Sequence, residues 1–378
     1  MNTLNNFSPN KIAIIADQNV LQLFPYYLDK LYADIPKFVL SVLPGEQNKN
    51  IDEVVYLWQN LQELHIDKKS LIINFGGGMV MDLGGFVAST YQRGIPFINI
   101  PTTLLSMIDA AIGGKNGINL NNVKNAVGTI NLPQEVIINP QFLMTLPHQQ
   151  LLNGFGEMLK YALIGNKTLW DELKALQSIH YQNIKKEWVD SCMEFKEKTV
   201  QKDLYDTGLR HILNFGHTIG HGIETWTLNK YGDARPCISA ENIPHGYAVA
   251  LGMVAESYLS YCHGLLSQSA YEEIRTVILQ NYNKILTPLS DDDISEIVKL
   301  CLFDKKNIDG RINITMLETI GKASPDHWVS EEECEEAIRS LTVEAWRRGD
   351  VETISYNRVN EVNDLTSEQS ERLPERTQ

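Results

Sequence analysis

No stretch of this chain reaches the ~18 consecutive apolar residues that a membrane-crossing helix requires, and its first eleven residues, Met1 to Lys11, are polar. They lack the basic region and long apolar core of a secretory signal, so a cytoplasmic location is expected. Cysteine is scarce. The five residues Cys192, Cys237, Cys262, Cys301 and Cys334 are odd in number and scattered, with no CxxC spacing. They read as free thiols in a reducing compartment and exclude a disulfide framework. Positive charge is also short, with 33 Lys and Arg against 47 Asp and Glu and a formal net charge of -14. That balance argues against non-specific nucleic-acid binding. An anionic substrate would therefore need cations gathered locally, against the charge of the whole. No internal repeat of fixed period is present.

What the 378 residues do contain, 43% of them hydrophobic, is enough for two domains. Lys11 to Ala16, Phe38 to Leu43, Leu71 to Phe75, Pro96 to Ile100 and Val136 to Asn139 read as strands. Helical patterns lie between them, at Ile51 to Leu64 and Met79 to Tyr91. This alternation predicts an α/β nucleotide-binding domain over 1–148, its sheet mostly parallel with helices on both faces. From 149 to 348 helix-period segments dominate: Asn153 to Ile164, Lys185 to Lys202, His217 to Trp226 and Tyr247 to Cys262. An all-α domain is expected there. Residues 349–378 are polar and charged, and are expected to form a disordered tail.

Gly76-Gly77-Gly78 follows a strand and precedes a helix, where backbone N–H groups can meet a pyrophosphate. It is not the GxGxxG fingerprint, and a plain tight turn is an equal reading. Asp82, one turn on, is either a solvated helix-start carboxylate or an acceptor for a ribose or nicotinamide group. Glu46 and Lys49 lie in a loop after a strand; Asp109 and Lys115 flank a Gly-Gly turn; Lys124-Asn125 adds a cation and an amide. The strongest signal is Leu213 to Glu224, LNFGHTIGHGIE, in which His217 and His221 share a helix face. Glycines at 216, 220 and 222 weaken that helix and suggest the approach of a ligand. His245 stands at a helix entrance, and Glu157 shares a face with Asn153 and Lys160. Two histidines, a carboxylate and an open position make a catalytic zinc set. Three unrelated structural residues remain an equal reading. His65, His148, His180, His263 and His327 read as structural.

Taken together, PGEQNK (44–49), GGGMVMDLGGFVASTYQRG (76–94), PTTLLSMIDAAIGGKNGIN (101–119), KNAVG (124–128), NGFGEMLKYALI (153–164), GLRHILNFGHTIGH (208–221), HGYAVALGM (245–253) and DKKN (304–307) resemble the 3-dehydroquinate synthase family of sugar-phosphate cyclases. The stretches occur in the family's order over about residues 11 to 325. The resemblance implies an N-terminal nucleotide domain, a C-terminal helical domain, an active site in the cleft between them, and a homodimer. It implies zinc, or another divalent metal such as cobalt, on Glu157, His217 and His245. It implies NAD near Asp17, Asn19, Glu46, Lys49, Gly76, Gly77, Gly78, Asp82, Thr102, Thr103, Lys124 and Thr145. It implies substrate contacts from Arg93, Asp109, Lys115, Asn125, Asn153, Lys160, Lys196, Arg210, Asn214, His221 and Lys306. His221 would shuttle protons, and Asp206 stands where the family usually has a glutamate proton acceptor. Two other departures are Asn116, where the family usually has threonine, and Tyr247, where it often has an acid.

The implied reaction converts 3-deoxy-D-arabino-heptulosonate 7-phosphate to 3-dehydroquinate by transient oxidation, phosphate elimination, reduction and aldol closure, with NAD regenerated. A sister cyclase of inosose or valiolone type, a metal-dependent polyol dehydrogenase and a non-catalytic NAD-binding protein are the alternatives. The many cations favour a substrate with both carboxylate and phosphate, and the intact histidine and glutamate set argues against a non-catalytic chain.

Overall fold

The computed structural model describes residues 8–341 apart from 31, 122, 232–242, 283–288 and 303–310. Lys306, the DKKN stretch, Cys237 and the 349–378 tail lie outside the described residues. The chain divides into two compact units, one of Met1–Ala162 with Thr168–Arg210, the other of Leu163–Lys167 with His211–Gln378.

The first unit holds β1 (Ile12–Asp17), α1 (Gln18–Leu23), β2 (Lys37–Val42), α2 (Ile51–Glu63), β3 (Leu71–Gly76), α3 (Gly78–Thr90), β4 (Phe97–Pro101), β5 (Lys115–Leu120), β6 (Val123–Ile130), β7 (Glu135–Val136), α4 (His148–Gly165), α5 (Lys167–Lys174) and α6 (Lys186–Lys202). α4 and α5 also carry the short Leu163–Lys167 piece that groups with the second unit. Five strands form one parallel sheet in the order β2-β1-β3-β4-β7. Every residue of β1, β3 and β4 is buried, as interior strands of a parallel sheet require, whereas the edge strand β2 is only partly so. Ile15, Leu57, Ile72, Leu83 and Phe97 belong to its core, each contributing on the order of 1.5–3 kcal/mol by leaving water.

Two expectations change here. The strand expected over Val136 to Asn139 pairs only at Glu135 and Val136, because Asn139 accepts from Gln141 N and Pro140 opens a 3-10 turn. The glycine-turn segment around Lys115 and Lys124 is an antiparallel hairpin, β5 with β6.

The second unit holds α7 (His217–Tyr231), α8 (His245–Cys262), α9 (Gln268–Tyr282), α10 (Asp291–Leu302), β8 (Ile312–Thr319), β9 (Lys322–Val329) and α11 (Glu331–Arg339). Its described residues are helical apart from an antiparallel hairpin, β8 with β9, which the helical texture of the sequence did not include. α8 is buried nearly all round, the pattern of a central helix. Ser260 on α8 donates to its own helix at Glu256 O and accepts from Leu317 N, tying the hairpin to the core. Among the described residues no helix is long and apolar enough to cross a membrane.

Candidate active site

In the first unit the chain winds from β1 to β2 on one side and from β3 to β4 on the other, so the winding reverses between β1 and β3. In open parallel sheets the ligand crevice lies outside the carboxyl ends of the strands at such a reversal. The residues found there are Asp17 at the end of β1, Gly76 at the end of β3, Gly77 capping α3, and Thr102 and Thr103 after β4. Neighbouring side chains press close on the glycine backbones. A Cβ on Gly76 would fall 2.6 Å from Val80 and 3.1 Å from Asp17 Oδ2, and one on Gly77 would fall 3.1 Å from Thr103 Cγ2. The result is a narrow glycine cradle at a helix N-terminus, suited to a pyrophosphate. Asp17 accepts from Val20 N at 3.1 Å, and burial raises its carboxyl above the ordinary range. Asn19 and Thr145 are exposed.

Beside the cradle, Lys49 is buried with its ammonium 2.7 Å from Glu46, 3.1 Å from Asp82 and 2.8 Å from Asn125 Oδ1. Burial pushes the Asp82 carboxyl up to about 6, even with Lys49 adjacent. Asn119 joins the group, donating to Glu46 Oε1 at 3.0 Å and accepting from Asn125 N at 2.9 Å. Four residues expected separately on the loop, on α3 and on β6 thus form one hydrogen-bonded network. Lys124 is exposed on β6.

A second cluster gathers Asp109, Glu157, Lys160, Lys196 and Arg210. Lys196 donates at 2.7 Å to both Oδ1 and the backbone oxygen of Asp109. Lys160 lies 2.5 Å from Glu157, and both are buried. Burial works to raise the Asp109 carboxyl, but the charges of Lys196 and Lys160 hold it well below the ordinary range. Burial lowers the Lys196 ammonium, and Lys160 and Arg210 push the same way. The Arg210 guanidinium is 4% exposed and donates only to carbonyls, Leu204 O at 2.9 Å and Gly113 O at 3.0 Å. No carboxylate among the described residues pairs with it. A buried guanidinium held by carbonyls alone keeps its full charge, an arrangement suited to an external anion. Its loop is fixed by Asp203, which accepts from the backbone N–H groups of Thr207, Gly208 and Arg210. Gly113 has φ +102, and a Cβ there would lie 2.7 Å from the guanidinium. The Gly-Gly turn is therefore needed for the cation to approach.

The three departures from the family pattern each have partners. Asn116 donates at 2.9 Å to Gly114 O and to Asn131 O, bracing the turn. Asp206, at φ +58, forms an ion pair with Lys115. Tyr247 packs edge-on against Tyr282, and burial raises its phenol to about 12.

In the second unit, His217, His221 and His245 each present a nitrogen within 4.8 Å of the others. His217 Nδ1 meets the Phe215 carbonyl at 3.1 Å. A carbonyl only accepts, so Nδ1 carries the proton and Nε2 the lone pair. His245 Nδ1 faces Glu224 at 3.4 Å, the carboxylate–histidine arrangement that orients metal ligands. The glycines of this region have a different purpose from the one the sequence suggests. A Cβ on Gly220 would fall 2.9 Å from Ala248 O, and one on Gly222 2.6 Å from Cys301 Sγ. What approaches them is α8 and α10, not a ligand. This close packing of α7 on α8 is what makes the three imidazoles converge. Glu256, buried on α8, accepts from Gly216 N at 2.7 Å and so caps the start of α7. Asn214, just before it, has a buried Nδ2 with no hydrogen-bond partner among the described residues.

Glu157 belongs to the first unit, and His217 and His245 to the second. Asn153 contacts Gln150 at 3.3 Å. Arg93 stands before β4, at the opposite end of that strand from Thr102, and lines a separate pocket of about 470 Å³ with Thr129 and Gln134. Sequence reasoning missed Glu224, although His217, His221 and Glu224 follow i, i+4, i+7 on one helix face. It also missed Tyr161, Asp203 and Glu256, whose roles arise from contacts with other elements and have no spacing signal.

This architecture is that of the sugar-phosphate cyclases. 2-epi-5-epi-valiolone synthase from Streptomyces hygroscopicus, solved with NAD+ and Zn2+, is 26% identical with a TM-score of 0.75, covering 90% of this chain and 94% of that one. 2-deoxy-scyllo-inosose synthase, at 24% identity and TM-score 0.75, covers 90% and 92% and shares the fold. The N-terminal 3-dehydroquinate synthase family profile matches residues 39–153, and the C-terminal profile residues 154–307. The 3-dehydroquinate synthase of Clostridium beijerinckii is 36% identical over 324 residues, 84% of this chain and 88% of its own. That of Thermococcus kodakarensis is 38% identical over 342 residues, 90% of each chain. The chain belongs to the 3-dehydroquinate synthase family.

Proposed function

We propose that this protein is an NAD- and metal-dependent 3-dehydroquinate synthase, converting 3-deoxy-D-arabino-heptulosonate 7-phosphate to 3-dehydroquinate and phosphate. The observation that carries the reading is the match of both family profiles across residues 39–307, joined end to end in one chain. The sister-cyclase and polyol-dehydrogenase alternatives are not favoured, since the curated relatives cited above carry the synthase name. A homodimer in the cytoplasm completes the proposal.

The residues present fit both groups that the reaction needs. Three converging imidazole nitrogens, two with their Nδ1 protons engaged, suit a divalent ion of the zinc type. On the family pattern, His217 and His245 would hold it and Glu157 would be the third ligand. The glycine cradle, Thr102, Thr103, Asp82 and Lys49 would hold NAD. When bound, NAD supplies a reversible hydride acceptor and the metal a Lewis acid at the oxidised carbinol. The protein's own groups do the rest. Arg210, Lys196, Lys160 and Lys115 neutralise the substrate's phosphate and carboxylate. Asp109 and Asn125 orient hydroxyl groups, and Asn214 donates to a substrate oxygen. His221 carries a proton, with Asp206 as the acceptor in reserve. Arg93, Asn153 and Lys306 remain assigned to substrate, and Asp17, Asn19, Glu46, Lys124 and Thr145 to the nucleotide, on the family pattern.

The test is phosphate release from 3-deoxy-D-arabino-heptulosonate 7-phosphate with catalytic NAD and zinc, followed by product mass and nicotinamide absorbance. Dehydroquinate with no net NADH is expected. No release from metal-loaded protein would reject this substrate.

A further inference from the structure

Tyr161 is a buried aromatic of α4 that none of the roles above uses, and its side chain does not end in apolar surroundings. Its phenol oxygen lies 2.5 Å from Asp109 Oδ1, the same oxygen that takes Lys196 Nζ at 2.7 Å. Lys196 also holds the Asp109 backbone oxygen at 2.7 Å. The residue is thus gripped at two points, in the single π-helical turn Ser106–Ala110. Among the described residues nothing donates to Oδ2, although the Asp109 side chain is 26% exposed. Tyr161 itself is fixed: its ring meets Phe195 of α6 edge-on at 6.1 Å, and the Lys160 ammonium lies 4.9 Å from its centre. Burial and the adjacent Asp109 charge raise the phenol well above its ordinary range, so it stays a donor.

We infer that Tyr161 is a positioning residue: with Lys196 it saturates Oδ1 of Asp109, and so fixes Oδ2 as the oxygen that accepts a hydroxyl of the polyhydroxylated substrate. This deepens the proposed function and rests on it. A carboxylate held only by Lys196 could rotate about its Cβ–Cγ bond and exchange its two oxygens. The second donor, set on a different helix, removes that freedom. Orientation of this kind acts on turnover more than on affinity, because a small misplacement of a reacting group costs rate.

The experiment is steady-state kinetics of the NAD- and zinc-loaded protein for wild type, Tyr161→Phe, Asp109→Ala and the double variant. Tyr161→Phe keeps the ring and its packing, so thermal melting is expected to stay close to wild type. The expected result is a loss of roughly 10- to 100-fold in kcat, with KM changed by less than about threefold. In the Asp109→Ala background the same substitution should have no further effect, since residues acting through one another are non-additive. An active wild type with Tyr161→Phe equal to it overturns the inference. So does a Tyr161→Phe loss that is undiminished without Asp109, which would assign the tyrosine to packing. An inactive wild type instead overturns the proposed function, and the inference with it.

Discussion

Lys49 shows how much a single side chain can organise. It is 4% exposed and pairs with Glu46 and Asp82, whose carboxyl groups compete for one ammonium. Burial raises Asp82 to about 6 from an ordinary value of 3.8, so between those pH values the folded chain binds more protons than the unfolded one. Stability from this group is therefore greatest below the ordinary value and is lost as pH rises through about 6. Asp82→Asn is predicted to flatten the fall in melting temperature over that window, read by thermal unfolding in a pH series. An unchanged slope would show that Asp82 does not titrate there. In the sequence, the strand-turn-glycine pattern was enough to mark the stretch containing Asp82. Its tie to Lys49 was not visible, because the two lie 33 positions apart along the chain.

At the scale of elements, the α7–α8 pair builds the histidine cluster. The i, i+4 spacing of His217 and His221 was legible, since one helical period fixes their common face. The entrance position of His245 was legible too, with Pro244 as the helix cap. The meaning of the glycines was not, because the sequence gives their flexibility but not their neighbours. A Cβ on Gly252 would overlap the Gly216 carbonyl and lie 2.7 Å from Gly220 N. Gly252→Ala is predicted to destabilise the protein by roughly 1–3 kcal/mol, the cost of overpacking a tight core. It should also weaken zinc binding, by forcing apart the helices that carry His217 and His245. Urea unfolding and competition with a chromophoric chelator would measure the two effects. Full stability with intact zinc affinity would refute the close-packing account.

For the whole molecule, the acidic balance of -14 contrasts with the buried cations Lys160, Lys196 and Arg210. Charge is thus partitioned as an anionic substrate on an acidic protein demands. The proposed homodimer belongs to this scale. Leu120, Val123, Val127 and Ile130 are exposed on the β5–β6 hairpin, apolar surface of the kind a second copy would cover. Sedimentation equilibrium is predicted to give twice the 42.8 kDa chain mass; a single chain mass at micromolar concentration would remove the dimer.

By itself the sequence determined the parallel sheet, the glycine turn at its strand ends, the mostly helical texture that follows it and the family. These follow from periodicity, from local turn chemistry and from motifs read in order, all short-range properties of a chain. Only the tertiary structure decided the rest. It brought Asp109, Tyr161 and Lys196 together from three distant segments, left Arg210 without a carboxylate partner among the described residues, and set Glu256 beneath the start of α7. It also made hairpins of two segments whose pairing the residues alone did not announce. Such features depend on which surfaces meet after packing, and that is settled by side-chain volume and buried polarity across the fold, not by neighbours along the chain.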